Sequence, residues 1–62
     1  GRENMERQEA VLYYIGVRDD AQEEGHLFIN APINSVYLQE IVEQLLQTHG
    51  YRRVVIRNLI YL

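Results

Sequence analysis

The stretch Val36–His49, VYLQEIVEQLLQTH, constrains the fold most, because its apolar residues recur on one side of a helix. Glutamines and glutamates fill the opposite side. Asn34 and Ser35 precede the stretch and can accept free N–H groups of the first turn, while Gly50 follows it, where a left-handed cap favours glycine. A helix of this size is marginal alone in water, so its apolar stripe must pack on the rest of the chain. The stripe consists of Leu38, Ile41, Val42, Leu45 and Leu46.

Three strand-like runs surround the helix. Residues 10–17 are β-branched and aromatic, residues 26–31 end at Pro32, and residues 51–57 follow the helix. The short acidic loop at 18–25 makes the first two strands an antiparallel hairpin. We expect the third strand to return alongside the first and parallel to it, through a right-handed crossover. The predicted class is α+β in the order β-β-α-β, a small antiparallel or mixed sheet with one amphipathic helix packed on one face.

The helix can cover only one face of this sheet, and the first strand is apolar on both of its faces. The uncovered face should therefore expose an apolar patch of the kind that marks an interface. The predicted strand residues of the core are Val11, Tyr13, Ile15, Leu27, Ile29, Val54 and Ile56. The predicted interface residues are Tyr14, Phe28, Arg53, Val55 and Arg57. A shift of the faces by one register would move the interface to their neighbours.

The length of 62 residues allows one small domain whose core is marginal without help. The chain has no cysteine, which excludes disulfides and thiolate metal sites and leaves a partner chain as the source of that help. We expect a flexible N-terminal tail over residues 1–9, and a single interaction domain over residues 10–62 that forms oligomers. No apolar run approaches the ~18 residues needed to span a membrane. The lack of cysteine and of a signal-peptide pattern favours an intracellular location, cytoplasmic or nuclear.

Chemistry-bearing patterns are few. The acidic loop Asp19, Asp20, Glu23 and Glu24 has the ligand type of a cation site, but it lacks the alternating spacing of a calcium loop and is better read as a solvated hairpin loop. The two histidines, at positions 26 and 49, have no serine or cysteine nucleophile near them in sequence. No glycine-rich phosphate loop is present. We therefore predict a protein that is not an enzyme, with no cofactor and no metal.

The function predicted from these features is a non-enzymatic protein–protein interaction module that self-associates, as a closed dimer or head to tail. One alternative is a small nucleic-acid-contacting module that uses Arg52, Arg53 and Arg57 with Tyr51 and Tyr61. The formal net charge of −3 opposes it, because phosphate neutralisation dominates such affinities. A second alternative is a fragment that docks on a larger partner protein.

Three stretches carry a resemblance to a known family. VLYYIG, HLFINAP and YLQEIVEQLL resemble the opening of a DIX domain, the polymerisation module of Dishevelled, Axin and the plant SOSEKI proteins. The same stretches, with QEIVEQLLQTHGY, are similar to Ras-association domains, and both families share the ubiquitin-like β-grasp fold. Over residues 10–57 the resemblance implies a β-grasp-like arrangement. A DIX-like chain would associate head to tail through the strand at residues 26–31 and a complementary later strand. Both families have further strands after the third, and their usual lysines are missing here.

Overall fold

A computed structural model describes residues 7–62, which form three strands and one helix. The elements are β1 at Gln8–Val17, β2 at Gln22–Ala31, α1 at Ser35–His49 and β3 at Arg53–Tyr61. The α+β class and the order β-β-α-β predicted from the sequence are confirmed. The tail expected over residues 1–9 falls largely outside the described residues, and its last two positions already belong to β1.

The β1–β2 hairpin is longer than the sequence indicated. Its connection is only residues 18–21, closed by a 2.9 Å hydrogen bond from the Arg18 N–H to the carbonyl of Ala21. The ladder starts with Val17 opposite Gln22, so residues 22–25, expected in the loop, are paired strand. An edge strand accommodates acidic residues because one of its sides faces water. Both glutamates of this segment also meet an arginine, as described below.

The sheet order is β2-β1-β3, so β1 is the central strand, as expected. Leu12 of β1 pairs with Leu27 on β2 and with Leu59 on β3, and both pairings are antiparallel. The prediction that the third strand runs parallel to the first is wrong. Since β2 runs against β1, and α1 returns the chain to the end where β2 began, β3 takes the direction of β2. The helix therefore connects two parallel strands that lie on opposite sides of β1.

Helix α1 has the boundaries that its capping residues predict. The Asn34 side chain accepts a 2.8 Å hydrogen bond from the Tyr37 N–H. Gly50 takes the left-handed conformation, with φ 71°, and its N–H donates to the carbonyl of Leu46. The predicted stripe faces the sheet, with Ile41 and Leu45 buried and the other stripe residues half-buried.

The core lies between α1 and one face of the sheet, and it contains the even-numbered residues of β1. Leu12 is fully buried, and Tyr14 is only 7% exposed. The assignments of Leu27, Ile29, Val54 and Ile56 to the helix side are confirmed. The assignments of Val11, Tyr13 and Ile15 to that side are wrong. The hairpin register is the physical reason, because cross-strand partners share a face and the partner of Leu27 is Leu12.

Two glycines make room for tyrosine rings on the helix side of the sheet. Gly25 pairs with Tyr14, and a Cβ built at Gly25 would overlap the Tyr14 ring. A Cβ at Gly16 would likewise overlap the ring of Tyr51. Each ring therefore covers a bare stretch of backbone, a pattern that protects strand glycines from water.

Candidate interaction surface

The side of the sheet opposite α1, called here the uncovered face, carries a cluster of exposed apolar side chains. Phe28 on β2 is 77% exposed, and Tyr13, Val55 and Ile60 are between 41% and 45% exposed. Register places all four on the uncovered face, with Val11 buried between Phe28 and Ile60. In the described residues, the other large exposed hydrophobics lie at the first turn of α1 and at the end of β3, namely Val36, Tyr61 and Leu62.

An aromatic row crosses this face from β1 to β2. The ring centroids of Tyr13 and His26 are 5.9 Å apart, and those of His26 and Phe28 are 6.3 Å apart in an edge-to-face arrangement. Such contacts fix the orientation of each ring. They present Phe28 as a positioned apolar group, as in the centre of many interfaces.

Charged groups flank the apolar cluster on both edge strands. The register shifts between Tyr13 and Tyr14, which leaves Arg57 as the extra residue of a β-bulge in β3. Its guanidinium reaches across the face, with Nη1 3.8 Å from Oε2 of Glu24. Both side chains are exposed, and an exposed pair at this distance contributes little to stability.

Four of the five predicted interface residues lie on the uncovered face: Phe28, Arg53, Val55 and Arg57. Placing Tyr14 there was wrong, because its ring packs in the core, and its neighbour Tyr13 takes the position instead. Ile60 was missed because the third strand was ended at residue 57. The apolar run at residues 59–62 was the signal for its continuation.

Tyr51 lies at the centre of a polar cluster at the hairpin end of the helix side. It is 8% exposed, and its hydroxyl donates a 2.9 Å hydrogen bond to Oε1 of Glu23. The Arg18 Nε donates to the other carboxylate oxygen at 3.0 Å, and its guanidinium lies 4.8 Å from the centre of the Tyr51 ring. His49, at the end of α1, stacks on the same ring with centroids 5.1 Å apart. The cluster ties the helix C-terminus to the β1–β2 hairpin.

The same contacts shift two pKa values in opposite directions. Hydrogen bonds from Arg18 and then Tyr51 lower the pKa of Glu23 below its ordinary 4.5. Burial and the bond to Glu23 raise the pKa of Tyr51 above its ordinary 10.0. The stability that Glu23 contributes is present above its ordinary pKa and is lost as pH falls through the lowered value. The stability that Tyr51 contributes is present below its ordinary pKa and is lost as pH rises through the raised pKa.

We therefore expect the free energy of unfolding to decrease at low pH, where Glu23 becomes protonated, and at high pH, where Tyr51 loses its proton. Urea unfolding between pH 3 and pH 11, followed by circular dichroism, measures this profile. Glu23→Gln should reduce the decrease in the free energy of unfolding at low pH. Tyr51→Phe should reduce the decrease at high pH. Glu40→Gln, on the exposed side of α1, is the control and should leave both decreases unchanged. Equal effects of the Glu23 and Glu40 variants would contradict the assignment.

An apolar concavity, separate from the uncovered face, lies between α1 and β2. The backbone of α1 approaches β3 more closely than β2, which leaves a groove of about 310 Å³ on the β2 side. Its walls include Leu27 and Ile29 on the strand and Ile41 and Leu45 on the helix. It adjoins the free edge of β2, where the outer backbone groups have no neighbouring strand within the described sheet.

Comparisons with family models, with curated proteins and with solved structures gave no match. Within residues 7–62, no helix has the length and apolar character needed to cross a bilayer. In the same residues, no group of three or more histidine or acidic side chains is arranged to hold a metal ion.

Proposed function

We propose that this protein is a non-enzymatic protein–protein interaction module that self-associates through the uncovered face. The observation that carries the proposal is the clustering of Tyr13, Phe28, Val55 and Ile60 on the one sheet face that α1 leaves open. Contiguous apolar patches of this kind on small proteins mark interaction sites. A chain of this length also has a small core, so burying a second face on a partner adds stability that the monomer lacks.

The composition of the face fits an interface in both its centre and its rim. Burying one large, exposed apolar side chain contributes about 1.5–3 kcal/mol, and Phe28, which is 77% exposed, gains the most of the cluster from burial on a partner. Arginine and glutamate lie at the edges of the cluster, as in interfaces with an apolar core and a polar rim. The rim charges add specificity more than affinity.

Support for the nucleic-acid alternative is weaker. Arg52 lies 3.5 Å from a carboxylate oxygen of Asp19, and Arg57 lies near Glu24, so carboxylates already neutralise part of the basic side chains. Tyr51, which that alternative uses for stacking, is buried in the cluster with Arg18. An enzymatic role also gains little support, because both histidines pack against aromatic rings.

Phe28→Asp is the variant that tests the proposal. We expect the wild type to show a mass above that of the monomer, rising over a hundredfold concentration range in light scattering coupled to size exclusion. Phe28→Asp should weaken this association by at least about tenfold, because it replaces the most exposed ring of the apolar cluster with a charge. A plateau at the dimer mass would favour a closed dimer, and a mass that continues to rise would favour the head-to-tail arrangement of DIX domains.

Val36→Asp is the matched control, since Val36 is also an exposed apolar residue but lies at the first turn of α1. It should associate like the wild type. Circular dichroism of all three proteins verifies that the fold is intact. A folded wild type that stays monomeric throughout, or a Val36→Asp variant as impaired as Phe28→Asp, would reject the proposed role of the uncovered face.

A further inference from the structure

We propose that a second copy of the chain covers the uncovered face about a two-fold axis that runs parallel to the strands. This inference rests on the proposed function and specifies its geometry. Each β2 then lies over the partner's β3, each Phe28 lies over an Ile60 of the other copy, and Glu24 approaches Arg57 of the other copy. The two helices lie on the outer sides of the pair.

The charge of the uncovered face is unevenly distributed. Its β2 edge carries Glu24, which register places on the uncovered face. Its β3 edge carries Arg53 and Arg57. Arg53 pairs with Val17, the last residue before the hairpin, and Arg57 lies opposite the middle of β1, so both arginines lie on the edge opposite Glu24. One edge is acidic and the other is basic.

Two symmetric ways exist to stack such a face on a copy of itself with the strands aligned. An axis perpendicular to the strands places β2 over β2 and β3 over β3 with the strand ends exchanged, which sets Arg57, at the middle of β3, against Arg57 of the other copy. An axis parallel to the strands places β2 over β3, which sets acids against arginines twice. Like charges brought together across an interface are unfavourable, so the charge pattern favours the parallel axis.

The apolar side chains fit the same axis. Phe28, Val11 and Ile60 form one row across the three strands. A rotation about an axis over β1 places Phe28 of one copy on Ile60 of the other and sets the two Val11 side chains against each other. The large exposed ring therefore meets a smaller branched side chain, and two Phe28 rings do not compete for one position.

The ion pair within one copy does not oppose this arrangement. The distance of 3.8 Å between Arg57 and Glu24 is long for a charge-assisted bond, and both groups are exposed. Facing sheets pack about 10 Å apart, which lets the same two side chains reach their counterparts in the other copy. Dimer formation therefore replaces the exposed Glu24–Arg57 pair within each copy by two Glu24–Arg57 pairs between the copies, at the border of the interface.

The area of the uncovered face predicts how tightly the dimer is held. Three strands about 4.8 Å apart and about 30 Å long give roughly 400 Å² per copy, or roughly 800 Å² for the pair. This is at the low end of protein interfaces, where association is weak and transient. We expect a dissociation constant in the micromolar range or weaker, so measurements should extend to about 1 mM.

Charge reversal with mixing tests the pairing of the edges. Glu24→Arg alone and Arg57→Glu alone each place like charges together twice, so each should dimerise at least about tenfold more weakly than the wild type. An equimolar mixture of the two variants restores both opposite-charge pairs in the heterodimer. Sedimentation of the mixture should return to within about threefold of the wild-type dissociation constant. A mixture that remains as weak as its components would overturn the proposal.

A distance measurement tests the axis independently. The chain has no cysteine, so Ala21→Cys in the hairpin turn takes a single nitroxide label outside the uncovered face. The parallel axis brings both hairpins to one end, with labels less than about 25 Å apart in dipolar spectroscopy, whereas the perpendicular axis separates them by about 35 Å or more. The longer distance in a dimer that Phe28→Asp disrupts would reject the axis and retain the proposed function. A wild type that is monomeric at every concentration would reject both.

Discussion

Leu12→Ala is expected to lower the free energy of unfolding by about 3 kcal/mol. Leu12 is fully buried between Leu27 and Leu59 beneath α1, and truncating such a side chain costs about 2–5 kcal/mol. A domain of this size has a free energy of unfolding of only about 3–9 kcal/mol. The loss is therefore a third or more of the total. Urea unfolding followed by circular dichroism measures it.

Leu62→Ala is the control for this prediction. Leu62 is 72% exposed, and its contribution to the sheet is the backbone N–H that donates to the carbonyl of Glu9 at 2.8 Å. The substitution retains that hydrogen bond and should change stability by less than about 0.5 kcal/mol. If the two leucine variants lose similar stability, the placement of even-numbered β1 residues beneath α1 is wrong.

Gly16→Ala is expected to destabilise the domain by about 1–3 kcal/mol, the usual cost of overpacking a core. Replacing a strand glycine with alanine usually stabilises a protein, by about 0.4–1 kcal/mol, when the backbone conformation suits alanine. The backbone of Gly16 does suit it, because the positive φ among the described glycines is that of Gly50. The opposite sign expected here comes from the Tyr51 ring, which occupies the position of the new methyl group. The contacts with Arg18 and Glu23 resist displacement of this ring.

A double-mutant cycle with Tyr51→Ala separates the ring from other causes. In the Tyr51→Ala background, Gly16→Ala should become neutral or stabilise the protein slightly, because the new methyl group then fills vacated space. Chemical denaturation of the four proteins gives the coupling energy. A loss of equal size in both backgrounds would show that the ring is not the obstacle.

The helix and its packing side were predictable because their signals are local. Asn34 and Gly50 are recognised from sequence since each satisfies a backbone group within its own turn. The inward residues of β2 were also predictable, because Leu27 and Ile29 lie on one side of the strand and polar residues occur on the other side. Strand β1 lacks such alternation, so its buried side depends on the hairpin register, which the sequence pattern leaves undetermined.

On the candidate surface, too, the predictable residues were those identified by their neighbours in the sequence. Phe28 and Val55 were placed on the uncovered face because each shares its side of the strand with polar residues two positions away. Tyr14 was placed on the wrong side because nothing local distinguishes it from Tyr13. The cluster around Tyr51 was not foreseen, since it joins groups from β2, α1 and the hairpin that are far apart in the chain.

The central position of β1 has a consequence for the order in which the molecule folds. Its pairing with β2 closes a four-residue turn, whereas its pairing with β3 joins Val17 to Arg53, 36 positions later, and Ala10 to Tyr61, 51 positions later. Closing the longer loops costs more chain entropy and slows folding. The hairpin can form early, but until β3 arrives its central strand presents an open edge to other chains. The interval before β3 docks is therefore the period in which this chain is most exposed to aggregation.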